Sequence, residues 1–260
     1  MSADTLDYLG IRLNRLTISE LIEEINSCVA EQHRLTVSYY CSHTANIIRK
    51  NKSARDIFNS LDIVAPDGIA VLWTSWLFGP SLSMENLFRG DILGPFVFSK
   101  AIQQGWGIYL LGGAPGVTST AADKLCNAFP GLKIVGTHHG YLRSVEQQQA
   151  VIDDINHSDA TVVLVGMGQP AQEEWIVANK NRVHAPVLMG MGGYFDHVIK
   201  RIDCYPSWAY KWRLNWVYRL MSEPQRLWRR YTFGMLTFCL RVLWAKFELI
   251  FHDDYVTHEP

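Results

Sequence analysis

Short apolar runs that alternate with amphipathic stretches, each run stopping at a glycine or polar turn, constrain this chain more than any other feature. The runs lie at residues 35–40, 63–65, 107–111, 132–136, 160–165 and 186–191. Between them, 18–29 places Ile18, Leu21, Ile22, Ile25 and Val29 on one helical face, and 45–61, 118–129, 146–158 and 173–181 also read as helices. Uninterrupted apolar strands separated by helices predict an α/β fold with a parallel sheet covered on both faces. In that architecture ligands sit beyond the carboxyl ends of the strands, so the turns after each run are where chemistry is sought. With 48% hydrophobic residues in 260, the chain can bury a sizeable core.

The pattern changes near residue 200. Trp208, Trp212 and Trp216 recur every four residues, strand-like runs vanish, and eight Lys or Arg face two acids between residues 200 and 231. We expect a core over 1–200 and a basic, aromatic helical appendage over 201–260. The net charge of −1 points away from a polyanionic partner such as nucleic acid, whereas the local excess of six positive charges marks an anion-binding surface for phosphates or anionic lipid. Residues 232–251 are apolar but interrupted by Arg241, Lys246 and Glu248, which suits a helix lying in a membrane interface better than one crossing it. The amino-terminal segment, with Asp4 and Asp7 and no apolar run, does not read as a signal peptide. Five scattered cysteines without a Cys-x-x-Cys pair read as reduced, cytosolic thiols. Together these place the chain at the cytoplasmic face of a membrane as a peripheral protein. Self-association through apolar surface near the tail stays open.

Several turns offer chemistry. Gly112-Gly113-Ala114-Pro115-Gly116 follows a strand and precedes a helix, which suits backbone N–H groups approaching a phosphate or a tight turn with positive φ. Gly166-Met167-Gly168-Gln169-Pro170-Ala171-Gln172-Glu173-Glu174-Trp175 brings amides and carboxylates to a helix start, where they could read a nucleobase and a ribose or cap the helix. Asp67, in Ala65-Pro66-Asp67-Gly68, could act as a general base, although Asp-Gly is also a common turn signal and that reading leads on sequence alone. Thr44 and Asn46 could hold sugar hydroxyls; a capping role for Thr44 leads in the same way. None of the nine histidines forms a metal-binding pattern, and no Asp-x-Asp motif is present. No metal or other cofactor is expected. A leaving diphosphate would then need arginine forks, and Arg219, Arg226 and Arg229 lie at spacings that share one helical face.

In this order the motifs resemble the WecG/TagA/CpsF family of bacterial glycosyltransferases. Its carriers are Thr44-Ala45-Asn46, Ala65-Pro66-Asp67-Gly68, Leu111-Gly112-Gly113-Ala114-Pro115-Gly116 and Gly140-Tyr141-Leu142. They continue through Gly166–Glu173, Gly190-Met191-Gly192-Gly193-Tyr194-Phe195-Asp196, Trp216-Val217-Tyr218-Arg219-Leu220 and residues 223–231. The resemblance implies a Rossmann-like core and an inverting, metal-independent transfer from a UDP-sugar to a polyprenyl-diphosphate-linked saccharide. The appendage would dock on the membrane. It makes Asp67 the catalytic base and places Gln172, Glu173, Arg219, Arg226 and Arg229 at the donor, beside Gly112 and Gly113, whose loop reads as donor-binding by its glycines. Thr44, Asn46 and Asp91 fall on the acceptor side. The chain departs from the family at Asn86 and Arg89, ahead of Asp91, at Cys204-Tyr205-Pro206 and at Asn215-Trp216; these positions bear on acceptor and sugar specificity. Two other classes are weighed: a nucleotide-dependent Rossmann oxidoreductase, disfavoured by the missing Gly-x-Gly-x-x-Gly, and an inactive membrane-associated nucleotide-sugar-binding protein, disfavoured by Asp67 and the arginines.

Overall fold

A computed structural model describes residues 4–79, 82–88, 90–212 and 214–256, with the side chains of 226 and 251–256 outside that description. The chain opens with a hairpin that periodicity did not reveal, β1 (Thr5–Tyr8) and β2 (Ile11–Asn14), turned at Leu9-Gly10. Next come α1 (Ile18–Ala30), β3 (Leu35–Tyr40), α2 (Ser42–Lys50), α3 (Lys52–Asn59), β4 (Ile63–Pro66), α4 (Ile69–Ser75) and α5 (Gly90–Gln104). Then follow β5 (Gly107–Gly112), α6 (Val117–Ala128), β6 (Lys133–His138), α7 (Val145–His157), β7 (Ala160–Gly166), α8 (Ala171–Asn179), β8 (Val187–Gly190) and α9 (Tyr194–Val198). The described chain after α9 is helical: α10 (Ser207–Lys211), α11 (Asn215–Ser222), α12 (Pro224–Tyr231) and α13 (Phe233–Val256).

Local chemistry explains the boundaries. Thr17 caps α1 by accepting from Glu20 N at 3.2 Å, while Glu20 Oε2 accepts from Thr17 N at 2.8 Å, closing a capping box. The single helix expected over 45–61 is two, because Asn51 takes an extended conformation and its side chain caps α3 at Ala54 N, 3.1 Å away. Gly112 holds φ +152°, and a Cβ there would lie 2.3 Å from Gly166 O, so the β5 and β7 ends meet only because no side chain intervenes.

Six parallel strands form the sheet in the order β4-β3-β8-β7-β5-β6. Strand residues alternate between two buried clusters, as a period of two requires. One face takes Val37, Ala65, Ile108, Leu110, Leu164 and Met189, and is covered by α1, α5, α6 and α9. The other takes Val64, Tyr109, Leu111, Val163, Val165 and Leu188, and is covered by the hairpin, α2, α3, α7 and α8. This is the Rossmann-like α/β architecture expected.

The segment after residue 200 has no separate core. Cys204, Tyr205 and Ala209 are buried in the first cluster, whereas Phe238 and Val242 of α13 are buried in the second, against α2. The chain therefore straps over the edge of the sheet from one face to the other, and α11 and α12 are the crossing.

Candidate active site

At the β3–β8 boundary the helix after β3 packs on one face and the helix after β8 on the other, the arrangement that opens a crevice at the strand carboxyl ends. Its floor is a polar network centred on Gln169. The Gln169 amide donates to Tyr39 O at 2.6 Å and to Glu173 Oε1 at 3.3 Å. Its Oε1 accepts from the Thr44 hydroxyl at 2.5 Å. Thr44 Oγ1 in turn accepts from Cys41 N at 3.1 Å, so this side chain joins the α2 start to the loop after β7.

Gln172 and Glu173 lie beneath this network, both fully buried. Gln172 Oε1 accepts from Gly192 N at 2.9 Å, and its amide donates to Glu173 Oε1 at 2.7 Å. The same carboxylate oxygen accepts from Ser38 Oγ at 2.5 Å, while Oε2 is buried with no hydrogen-bond partner among the described residues. Burial pushes the Glu173 carboxyl up to about 7, against the pull of its hydrogen bonds. These two side chains are spent on fixing the loop after β8 to β3. Gly112 and Gly113 are likewise in close backbone contact: Gly113 N donates to Gly166 O at 2.9 Å, and Gly140 N donates to Gly113 O at 2.9 Å.

Asp67 follows β4 directly, with its N–H donating to Tyr40 O at 2.7 Å and Gly68 opening α4 at φ +85°. The strap brings two arginines to this edge. Burial pulls the Arg219 guanidinium down, but its surroundings, Tyr231, Tyr205, the Asp67 carboxylate and Tyr39, outweigh burial and raise it. Arg230 donates to Cys41 Sγ at 3.4 Å and helps burial hold the neighbouring His43 down at about 4. The Nε atoms of both arginines are buried with no hydrogen-bond partner among the described residues. Arg229, by contrast, is exposed and lies over the Trp228 ring at 5.3 Å. The Arg226 side chain and Arg89 lie outside the described residues.

The expected acceptor residues are not gathered at one spot. Asn46 donates to Gly234 O at 2.7 Å, tying α2 to the start of α13. Asp91, in the first turn of α5, lines a groove of about 400 Å³ with Pro95, Phe129, Arg201, Asp203 and Tyr205. Tyr205 links the two regions, since its phenol feels Arg219, Asp91 and Asp67. Among the described residues no group of three His, Cys, Asp or Glu side chains is arranged to hold a metal ion.

A model of the Glycosyl transferase WecG/TagA/CpsF family matches residues 6–250. The chain belongs to this family. The N-acetylglucosaminyldiphosphoundecaprenol N-acetyl-beta-D-mannosaminyltransferase of Bacillus spizizenii is 32% identical over 181 residues, spanning 70% of this chain and 68% of that protein. The WecG/TagA/CpsF match takes in α10 to α12 and most of α13 along with the sheet, so the strap lies within the matched region. Sequence reasoning overlooked Arg230, His43 and the central place of Gln169. Arg230 stood inside a quoted motif, but the expected single helical face pointed to its neighbours instead.

Proposed function

We infer that this glycosyltransferase moves a sugar from a UDP-sugar to a polyprenyl-diphosphate-linked saccharide, with inversion and without a metal ion. The observation that carries the reading is that the Asp67 carboxylate after β4 acts on the Arg219 guanidinium, while Arg230 reaches Cys41 after the neighbouring β3. In the reaction the Asp67 carboxylate takes the proton of an acceptor hydroxyl as that oxygen bonds to the anomeric carbon from the face opposite the diphosphate. The carbon–oxygen bond to the diphosphate breaks, and the electron pair leaves with UDP. Arginine forks supply charge where it develops on the leaving oxygens, a role for which two half-buried guanidinium groups are suited, their Nε atoms buried with no hydrogen-bond partner among the described residues. Arg230, on α12, joins Arg219, on α11, in this role. Gly112 and Gly113 contribute backbone shape, and Gln172 and Glu173 hold the loop on which the nucleotide rests. Thr44, Asn46 and Asp91 belong to the acceptor side.

The Bacillus relative is named for a polyprenyl-linked N-acetylglucosamine acceptor and an N-acetylmannosaminyl group, which makes that pair the first to test. A lipid-linked acceptor calls for work at a membrane surface, on its cytoplasmic face. The exposed residues Phe233, Leu236, Leu240, Leu243, Trp244 and Phe247 of α13 support this by forming one apolar stripe at helical spacing. No described helix is long and apolar enough to cross a membrane. The deciding experiment incubates the protein with individual UDP-sugars and a synthetic polyprenyl-diphosphate N-acetylglucosamine in EDTA, reading product mass and UDP release. Transfer with inverted anomeric configuration is expected; dependence on added divalent metal, or a retained configuration, would overturn the mechanism.

A further inference from the structure

No charged residue lies between Asp67 and Glu85, and α4 sits inside that stretch. Its buried side is ordinary, with Val71 and Ser75 packed inward. Its outer side is not: Trp73 is 65% exposed, and Trp76, at the helix end, is 66% exposed. Isolated exposed apolar residues are normal on a protein surface. Two tryptophans three residues apart on one short helix, at the edge of the proposed active site, mark a surface that meets something apolar.

We propose that α4 is a second lipid-contacting element, so that the sheet-bearing part of the chain itself rests on the bilayer beside α13. This rests on the membrane reading above. Three observations favour lipid as the occupant. First, α4 and α13 adjoin through one residue: the Tyr8 hydroxyl is hydrogen-bonded to Thr74, between the two tryptophans, and the same phenol feels Cys239 and Arg241 of α13. The two helices thus share a buried neighbour in the hairpin. Second, cations rim this side. Arg49 and Lys50 end α2 in solvent, and Arg241 feels the charges of Arg55 and Arg49. A basic rim beside tryptophan-bearing apolar surface is the composition that binds anionic headgroups. Third, Asp67 immediately precedes the α4 cap residue Gly68, and Trp73 is the fifth residue of α4, about 6 Å of helix rise from its start. Tryptophan held at headgroup level would keep Asp67 within reach of a saccharide whose diphosphate is anchored in the same membrane.

The test is the double substitution Trp73→Ser/Trp76→Ser, compared with Leu240→Ser/Leu243→Ser on α13. All four positions are more than half exposed, so both variants are expected to keep the parental melting temperature. Partitioning onto vesicles of phosphatidylglycerol and phosphatidylcholine is measured by co-sedimentation. Activity is measured on a long-chain acceptor in the same vesicles and on a short-chain, water-soluble analogue. The tryptophan variant should bind vesicles on the order of tenfold more weakly than the parent. It should lose activity on the long-chain acceptor and keep it on the soluble one. Parental binding with this variant, alongside weakened binding of the α13 variant, would overturn the α4 proposal and leave the membrane reading standing. If the unaltered protein does not bind the vesicles, both fall. Solution dimers that the tryptophan variant abolishes, with vesicle binding unchanged, would show the face to be an interface between copies.

Discussion

Glutamine in place of Glu173 keeps the shape of the side chain and removes one titration. The carboxyl is buried, accepts three hydrogen bonds on one oxygen, and is held at about 7 instead of its ordinary 4.5. At low pH the folded and unfolded chains both carry the proton. Between pH 4.5 and about 7 the folded chain keeps a proton that the unfolded chain has released, so stability falls as pH rises, and above 7 the loss is complete. At about 1.4 kcal/mol for each pH unit, the total is about 3 kcal/mol. Urea unfolding of the parent and Glu173→Gln at several pH values between 4.5 and 8 isolates this one group, because all other titrations are common to both. The difference in unfolding free energy should shift by about 3 kcal/mol in favour of the variant across that range. The variant's absolute gain at pH 8 will be smaller, since its new N–H₂ group occupies the place of an Oε2 that has no partner among the described residues. Parallel curves would refute the reasoning and show that Glu173 is solvated.

Asp67→Asn should abolish transfer while UDP still raises the melting temperature; substantial turnover would remove Asp67 as the base. Arg230→Ala should lower kcat by about 10²-fold, as loss of a donor to developing charge does. Arg229→Ala, which removes an exposed group stacked on Trp228, should change it only a few-fold; steady-state kinetics with the reverse ranking would contradict the proposed donor site. Phe238→Ala should cost about 3–5 kcal/mol in urea unfolding, because the ring is fully buried between α13 and the second face of the sheet. Gly112→Ala should destabilise the chain by about 2 kcal/mol or more, through positive φ and the collision with Gly166 O, and circular dichroism melting would register it.

The sheet was legible because burial on both faces writes continuous apolar runs into β5, β7 and β8, and the six parallel strands fall on the six expected strand segments. The hairpin was not, since four-residue strands offer too little alternation to register, and its core contacts lie with distant α3, α4 and α13. Asp67 was a candidate from its turn position, where an ordinary turn led on sequence alone, and Arg219 was one of three arginines at helical spacing. The other arginines could not be ranked, because the face drawn through residues 219, 226 and 229 assumes one helix. Pro224 disfavours helical backbone at Glu223, which takes φ −140° and ψ 59°, and the chain restarts in a new direction as α12. After that break Arg230 reaches Cys41 and Arg229 turns to solvent. The inward turn of Gln172 and Glu173 was hidden for a different reason: sequence shows that a helix begins there, and only tertiary packing decides which side of its first turn faces Ser38 and Gly192.

The strap also sets the order in which this molecule can be completed. Tyr8, Ala45 and Ile48 belong to a cluster that closes only with Phe238 and Val242, partners separated by about two hundred positions in the chain. Contacts of such separation carry a large loop-closure cost and form late. During synthesis the side of that cluster formed by the hairpin and α2 therefore stays uncovered until α13 has been made. The apolar surface of α13 emerges at that same moment, free to fold back onto α2 with one side while the other is still uncovered.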